Sequence, residues 1–351
     1  MLYDIFNPER GTNMPKKTDS TGLKNLKASL KDGAFKQLYL FFGEEDFLKE
    51  YYFGELKKSI IADSPPEFNY AVFEGTITDF SAIDAAMESP PWMAERKLIL
   101  VRGTGVAKSP NAEARAYWEV RLKDLPDYVT LVFYESEADR RGIIYKTAAK
   151  LGDAVECAPL EGTELVNWVG RGCRQEGFAI GRSEIDYLIR SCDGGMNNIK
   201  RELEKLFHYC IGSITKADID RIVTKLPQAR VFEMLNAMLR GDGRAVFAQL
   251  GELVTLKESP FMVLALLCTN FERIYHAKVL LEEGTPPNAI ASAIGVSPYF
   301  VRDYTGAAAK FTKPFLRRAL CEIAEIDLAV KQGEVDAWLA VEQFLARCMA
   351  A

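Results

Sequence analysis

Between residues 37 and 157, short apolar runs rich in β-branched and aromatic side chains alternate with helix-forming stretches, and after Pro159 such runs stop. That change of rhythm limits the possible folds more than any single motif does. Gln37–Phe42, Tyr70–Glu74, Lys97–Val101, Thr130–Tyr134 and Ala154–Cys157 read as strands, with helices at Phe47–Ile61, Asp79–Met87 and Arg141–Lys150 between them. Leu98-Ile-Leu-Val101 and Val129-Thr-Leu-Val-Phe133 leave almost no polar face, as expected of central strands in a parallel sheet. Strands separated by helices predict a wound α/β domain over residues 21–158, entered through a short amphipathic helix with Leu23, Leu26 and Leu30 on one side.

Residues 159–226 read as helices alone, Thr163–Glu176, Arg182–Cys192, Asn198–Cys210 and Lys216–Lys225, with Ser183 capping the second. This block is too small for a large core of its own and reads as a helical lid. From 227 to 351 the apolar stripes, such as Phe261/Leu264/Leu267/Phe271 and Trp338/Val341/Leu345, recur at spacings of three and four and predict a helical bundle. The fold class is therefore α/β followed by all-α. Residues 1–20 are polar, with Pro8, Gly11 and Pro15, and read as a flexible tail.

Composition excludes several classes. The 351 residues are 48% hydrophobic and 26% charged, an ordinary globular balance with room for two or three domains. The apolar run Phe261–Cys268 is far shorter than the ~20 residues that span a bilayer, and the N-terminus lacks the basic-then-apolar order of a secretory signal. A cytoplasmic protein without a membrane partner is expected. The net charge of −5 argues against a general nucleic-acid binder. Seven scattered Cys and two His, His208 and His276, show no metal-ligand spacing, so no metal is expected.

A strand followed by Gly43 and a helix raises the question of a phosphate-binding loop. Such a loop needs Gly at both ends, a Lys for the terminal phosphates and a hydroxyl for magnesium. Here Gly43 and Lys49 stand at the right spacing, but Leu48 replaces the second Gly and Glu50 the hydroxyl residue. Glu44, Glu45 and Asp46 add charge that repels phosphate, about 4 kcal/mol per pair at 4 Å and an effective dielectric of 20. The loop is degenerate and should hold no nucleotide. Two decoys fail as well: Gly103–Ser109 has Arg102 and Ala107 where glycines are required, and Gly177–Ser183 is one residue short. No nucleophile elbow and no paired carboxylates are present, so no catalytic residue is assigned. An enzyme using Lys49 in another way is the weakest alternative.

One segment is out of place as pure core: Glu88-Ser-Pro-Pro91-Trp92-Met93-Ala-Glu-Arg-Lys97. Two prolines can start a helix but not continue one, so a helical turn can run only to about Arg96. Large apolar side chains on so short a turn suit insertion into a partner's pocket; the other reading has Trp92 capping its own sheet.

Leu38-Tyr-Leu-Phe-Phe-Gly-Glu-Glu-Asp-Phe-Leu-Lys-Glu50, Pro91-Trp-Met-Ala-Glu-Arg-Lys-Leu98, Glu202-Leu-Glu-Lys-Leu206, Asp327-Leu-Ala-Val-Lys-Gln-Gly333 and Trp338-Leu-Ala-Val-Glu342 resemble, in order, the delta subunit of the bacterial DNA polymerase III clamp loader. The resemblance implies an AAA+-type α/β domain with a degenerate phosphate loop (Gly43, Leu48, Lys49, Glu50), a lid at 159–226 and a C-terminal collar at 227–351. It implies a subunit of the DNA polymerase holoenzyme without ATPase activity or cofactor, which opens the ring-shaped sliding clamp with an exposed apolar helical turn. The clamp-binding residues fall on Trp92 and Met93, with Pro91 before them, where the family more often has aliphatic or Phe residues. Absence of a sensor arginine at Asn197 or Asn198, and of a Ser-Arg-Cys finger in Ala148–Gly152, agrees with the loop. The implied partners are the clamp (the beta subunit), the other loader subunits joined through the collar in a five-membered ring, and primer–template DNA within the assembled complex.

The rival reading rests on Asn288–Arg302, a short helix, Gly295 and a second helix capped by Ser297, which resembles a helix-turn-helix. A DNA-binding regulator is thus the alternative, although the second helix is poor in the side chains that read bases.

Overall fold

The computed structural model describes residues 21–62, 64–76, 80–192 and 194–350; the tail expected at 1–20 lies outside them. The chain forms two compact units that meet in sequence at Pro159 and Leu160. The first runs α1 (Thr21–Asp32), β1 (Leu38–Phe42), α2 (Asp46–Ile61), α3 (Pro66–Asn69), β2 (Tyr70–Glu74), α4 (Ser81–Glu88), β3 (Lys97–Arg102), α5 (Ala112–Arg121), β4 (Val129–Tyr134), α6 (Ile143–Leu151) and β5 (Gly152–Glu156).

All five expected strands form one parallel sheet in the order β2-β3-β4-β1-β5, so the sheet is wound rather than folded from hairpins. β1 and β4 are buried at every position and β3 at all but its last, because helices cover both faces. The sequence pattern does not predict helix α5: it buries only Ala114 and Trp118, four apart, under an Asn111 cap that accepts from the Ala114 N–H. Trp118 is nevertheless central to the core, meeting the Phe133 ring edge-on at 4.8 Å.

The second unit holds α7 (Gly162–Gln175), β6 (Ala179–Ile180), α8 (Arg182–Ser191), α9 (Met196–Tyr209), β7 (Ser213–Ile214) and α10 (Lys216–Ile222), then seven helices from α11 (Pro227–Leu239) to α17 (Ala337–Ala350). Strands therefore do not stop entirely at Pro159; β6 and β7 pair in parallel, but two residues are too few to leave a pattern. Nor does Ser183 cap α8: Gly181 holds that position, and Ser183 lies inside the first turn, donating to Glu184. The bundle stripes converge on one core around Leu267, Phe271 and Phe344, except that Phe261, in the first turn of its helix, is exposed.

Segment 288–302 is not a helix-turn-helix. The helix α14 (Pro287–Ala293) is followed by turns through Phe300, and α15 begins only at Val301. Pro298 disfavours a helical conformation at Ser297, and the Ser297 hydroxyl accepts from Tyr299 N–H within a turn rather than capping a helix. Tyr299 donates its phenol proton to Asp186 on α8, which ties the turn down instead of presenting it.

Candidate functional site

The degenerate loop and the apolar turn both lie in the first unit, at different places. Gly43 has φ 117°, and a Cβ there would stand 2.3 Å from the Cys157 carbonyl oxygen, so glycine is required by the close approach of the chain after β5. Leu48 is core. The Lys49 side chain is almost fully buried, its ammonium bound to Asp46 at 2.9 Å and donating to the Glu135 carbonyl at 3.2 Å. Glu50 accepts from Arg102 at 2.6 Å and from the Tyr134 hydroxyl at 3.1 Å. Burial, with the neighbouring Glu50 charge, pushes the Tyr134 phenol well above its ordinary range.

Thus the positions that would face phosphate and magnesium are each engaged by other groups of the same unit, Lys49 by Asp46 and the Glu135 carbonyl, Glu50 by Arg102 and Tyr134. The loop after β3 is closed similarly: the buried Glu135 carboxylate accepts from Thr104 N–H, the Thr104 hydroxyl and Gly105 N–H, at 3.0, 2.6 and 3.0 Å. Burial raises the Glu45 carboxyl against the lowering effect of the Phe47 N–H it accepts from. Asn197 and Asn198 open α9, where Asn198 accepts from Arg201. No group of three metal-ligating side chains occurs among the described residues, and no described helix is long and apolar enough to cross a membrane.

The second place is the turn between α4 and β3. No helix forms over 91–96, contrary to the helical turn expected; residues 92–95 are successive bends. The cause is local and tertiary together. Pro90 holds Ser89 extended, with ψ 117°, and the hydrogen bonds a helix would use are taken elsewhere. Asn69, fully buried at the end of α3, accepts from Trp92 N–H at 2.8 Å and donates to the Trp92 carbonyl at 2.7 Å. Met93 then adopts φ 53°, which closes the bend.

Both ends of the turn are fixed. The Tyr128 hydroxyl lies 3.2 Å from both the Met87 and Glu88 carbonyls, and Lys97 donates to the Ser89 carbonyl at 3.3 Å. Lys97 is buried, and burial lowers its pKa. Arg96 donates to the Thr130 hydroxyl at 3.3 Å.

On this frame Trp92 is 53% and Met93 77% exposed, while Pro91 is half-buried. Phe68 beside them is 56% exposed, its ring 5.1 Å from that of Trp92 with planes at 56°. Sequence reasoning missed Phe68 and Asn69. A signal existed: the tripeptide Ser-Pro-Pro occurs at 64–66 and again at 89–91, each time followed within two residues by an exposed aromatic residue. A fixed turn bearing large uncovered apolar groups can do no bond chemistry; it can enter a concave apolar partner.

Comparison with known proteins follows the same division of the chain. A model described as DNA polymerase III, delta subunit, matches residues 39–158, and one described as its C-terminal domain matches 228–348. The chain is 25% identical over 328 residues to the DNA polymerase III subunit delta of Bacillus subtilis (strain 168), covering 90% of this chain and 94% of that protein. A probable DNA polymerase III subunit delta of Aquifex aeolicus (strain VF5) is 20% identical over 187 residues, 52% of this chain and 53% of that one. The solved structure of the Bacillus subtilis DNA clamp loader delta protein superposes with a TM-score of 0.68 at 22% identity, over 94% of this chain and 100% of that one. At that identity the likeness is one of fold.

Proposed function

The chain belongs to the DNA polymerase III delta subunit family, and on that premise we propose that it binds the DNA sliding clamp through Trp92 and Met93 and opens it without hydrolysing ATP itself. As a clamp-loader subunit it works within a multi-subunit DNA polymerase III assembly that supports replication. The observation that carries the clamp-binding reading is the exposure of two adjacent large apolar side chains on a turn whose backbone is fixed from below by Asn69.

Burying each side chain in a clamp pocket contributes about 1.5–3 kcal/mol. That energy opens the ring only if the pocket fits the turn better in the open clamp than in the closed one. Control by ATP then belongs to neighbouring subunits, because Lys49 and Glu50 are already held by Asp46, Glu135 and Arg102. Residues 159–226 serve as the lid, and 227–351 as the collar that joins the other loader subunits in a five-membered ring around primer–template DNA, in the cytoplasm. No observation favours the regulator alternative.

The test is binding of the purified chain to its own organism's sliding clamp without nucleotide, comparing wild type with Trp92→Ala/Met93→Ala. Tight binding lost in the double variant supports the reading. Binding retained by that variant moves the contact elsewhere on the chain.

A further inference from the structure

We propose that the docking element is a composite of two chain segments, in which Phe68 is a third apolar contact and Glu67 and Glu95 select a clamp pocket with a cationic rim. This rests on the clamp-docking reading above and adds to it a contact residue, a geometry and a charge requirement.

Phe68 and Trp92 are each more than half exposed although their rings pack against each other, so neither is there to fill the core. Phe68 directly precedes Asn69, whose amide holds the Trp92 peptide through two hydrogen bonds. One buried side chain therefore sets the spacing of both rings. Their arrangement is formed before any partner arrives, which reduces the ordering cost of binding. The complementary pocket must be wide enough for two tilted rings and a thioether chain side by side.

Charge narrows the partner further. Glu67 adjoins Phe68 and Glu95 follows Met93 by two residues; both are exposed, and neither forms an ion pair among the described residues. Of the nearby cations, Arg121 is paired with Asp84 and Glu88, Lys97 is buried with its ammonium on the Ser89 carbonyl, and the half-buried Arg96 donates to the Thr130 hydroxyl, so the two glutamates are the exposed charges beside the rings. The apolar triad is thus flanked by two exposed carboxylates without an ion pair among the described residues, and its partner surface carries Lys or Arg around an apolar hollow.

The full chain and its organism's sliding clamp, without nucleotide, provide the test. Phe68→Ala weakens binding about tenfold, and combining it with Trp92→Ala costs less than the product of the two, because either change already removes the ring pair. Phe68→Lys weakens binding further than Phe68→Ala. Glu67→Gln/Glu95→Gln slows association several-fold at about 50 mM salt and has little effect at about 500 mM. Thermal melts of these surface variants stay within about 2 °C of wild type.

Binding by Phe68→Ala within about twofold of wild type, while Trp92→Ala is impaired about tenfold, removes Phe68 from the site and leaves the Trp92 docking reading standing. Association rates with the same salt dependence in wild type and the charge variant overturn the cationic rim. No effect of Trp92→Ala overturns the docking reading itself, and the composite with it.

Discussion

The Asn69 side-chain amide meets the Trp92 peptide edge to edge, accepting from its N–H at 2.8 Å and donating to its carbonyl at 2.7 Å, across 23 residues of sequence. Asn69 is wholly buried while the Trp92 side chain it positions stands in solvent. The amide replaces the partner peptide that a helix or strand would have supplied, so the turn is stiff without regular secondary structure.

Replacing Asn69 by Ala leaves the Trp92 N–H and carbonyl to water and opens a space below the turn. The expected loss is about 1–3 kcal/mol of stability, seen in chemical denaturation. Hydrogen exchange at the Trp92 amide should accelerate by more than the global loss accounts for, since the turn opens locally.

Met93 holds φ 53°, a conformation that disfavours any side chain. Met93→Gly should leave the fold as stable as wild type or stabilise it by up to about 1 kcal/mol. Clamp binding should fall at the same time. A variant that loses both together would make Met93 a packing residue.

The Glu45 carboxyl is raised by burial, against the Phe47 N–H that it accepts from. A carboxyl with a folded pKa above its unfolded value contributes stability that is complete below the unfolded pKa and lost as pH rises through the folded one. Glu45→Gln keeps the acceptor at the start of α2 and removes the buried charge. It should be more stable than wild type at pH 7, with the advantage shrinking as pH falls toward the ordinary carboxylate range. Melting curves from pH 7 to pH 4 measure the difference; a gap that widens on acidification would reverse the sign.

Millimolar ATP with magnesium should not move the melting temperature. A ligand at 100 times its dissociation constant would add about 2.7 kcal/mol, a shift of several degrees in a thermal melt. Lys49 would have to leave Asp46 and the Glu135 carbonyl to meet a phosphate. A clear rise that disappears in Lys49→Ala would restore the loop as a nucleotide site.

Sequence alone determined the wound sheet, because strands covered on both faces are apolar nearly throughout and the helices between them keep their own period. It also determined the chemistry of the degenerate loop, since Leu48 and Glu50 cannot supply the amide approach and hydroxyl a phosphate site needs. It marked Trp92 and Met93 as large apolar residues on a turn shortened by two prolines, but left open whether Trp92 caps its own sheet. Only the tertiary structure decided what holds them. β2 pairs with β3 in parallel with Tyr70 opposite Leu98, so the residues just before the two strands are brought side by side. That register sets Phe68 and Asn69 beside the turn, and a register between strands separated by a crossover is written in no local pattern. The same holds for Ser297, whose hydroxyl accepts from the Tyr299 N–H in a turn while the Tyr299 phenol is held by Asp186, 113 residues away in sequence. Local periodicity names the elements; long-range pairing chooses which side chains they bring together.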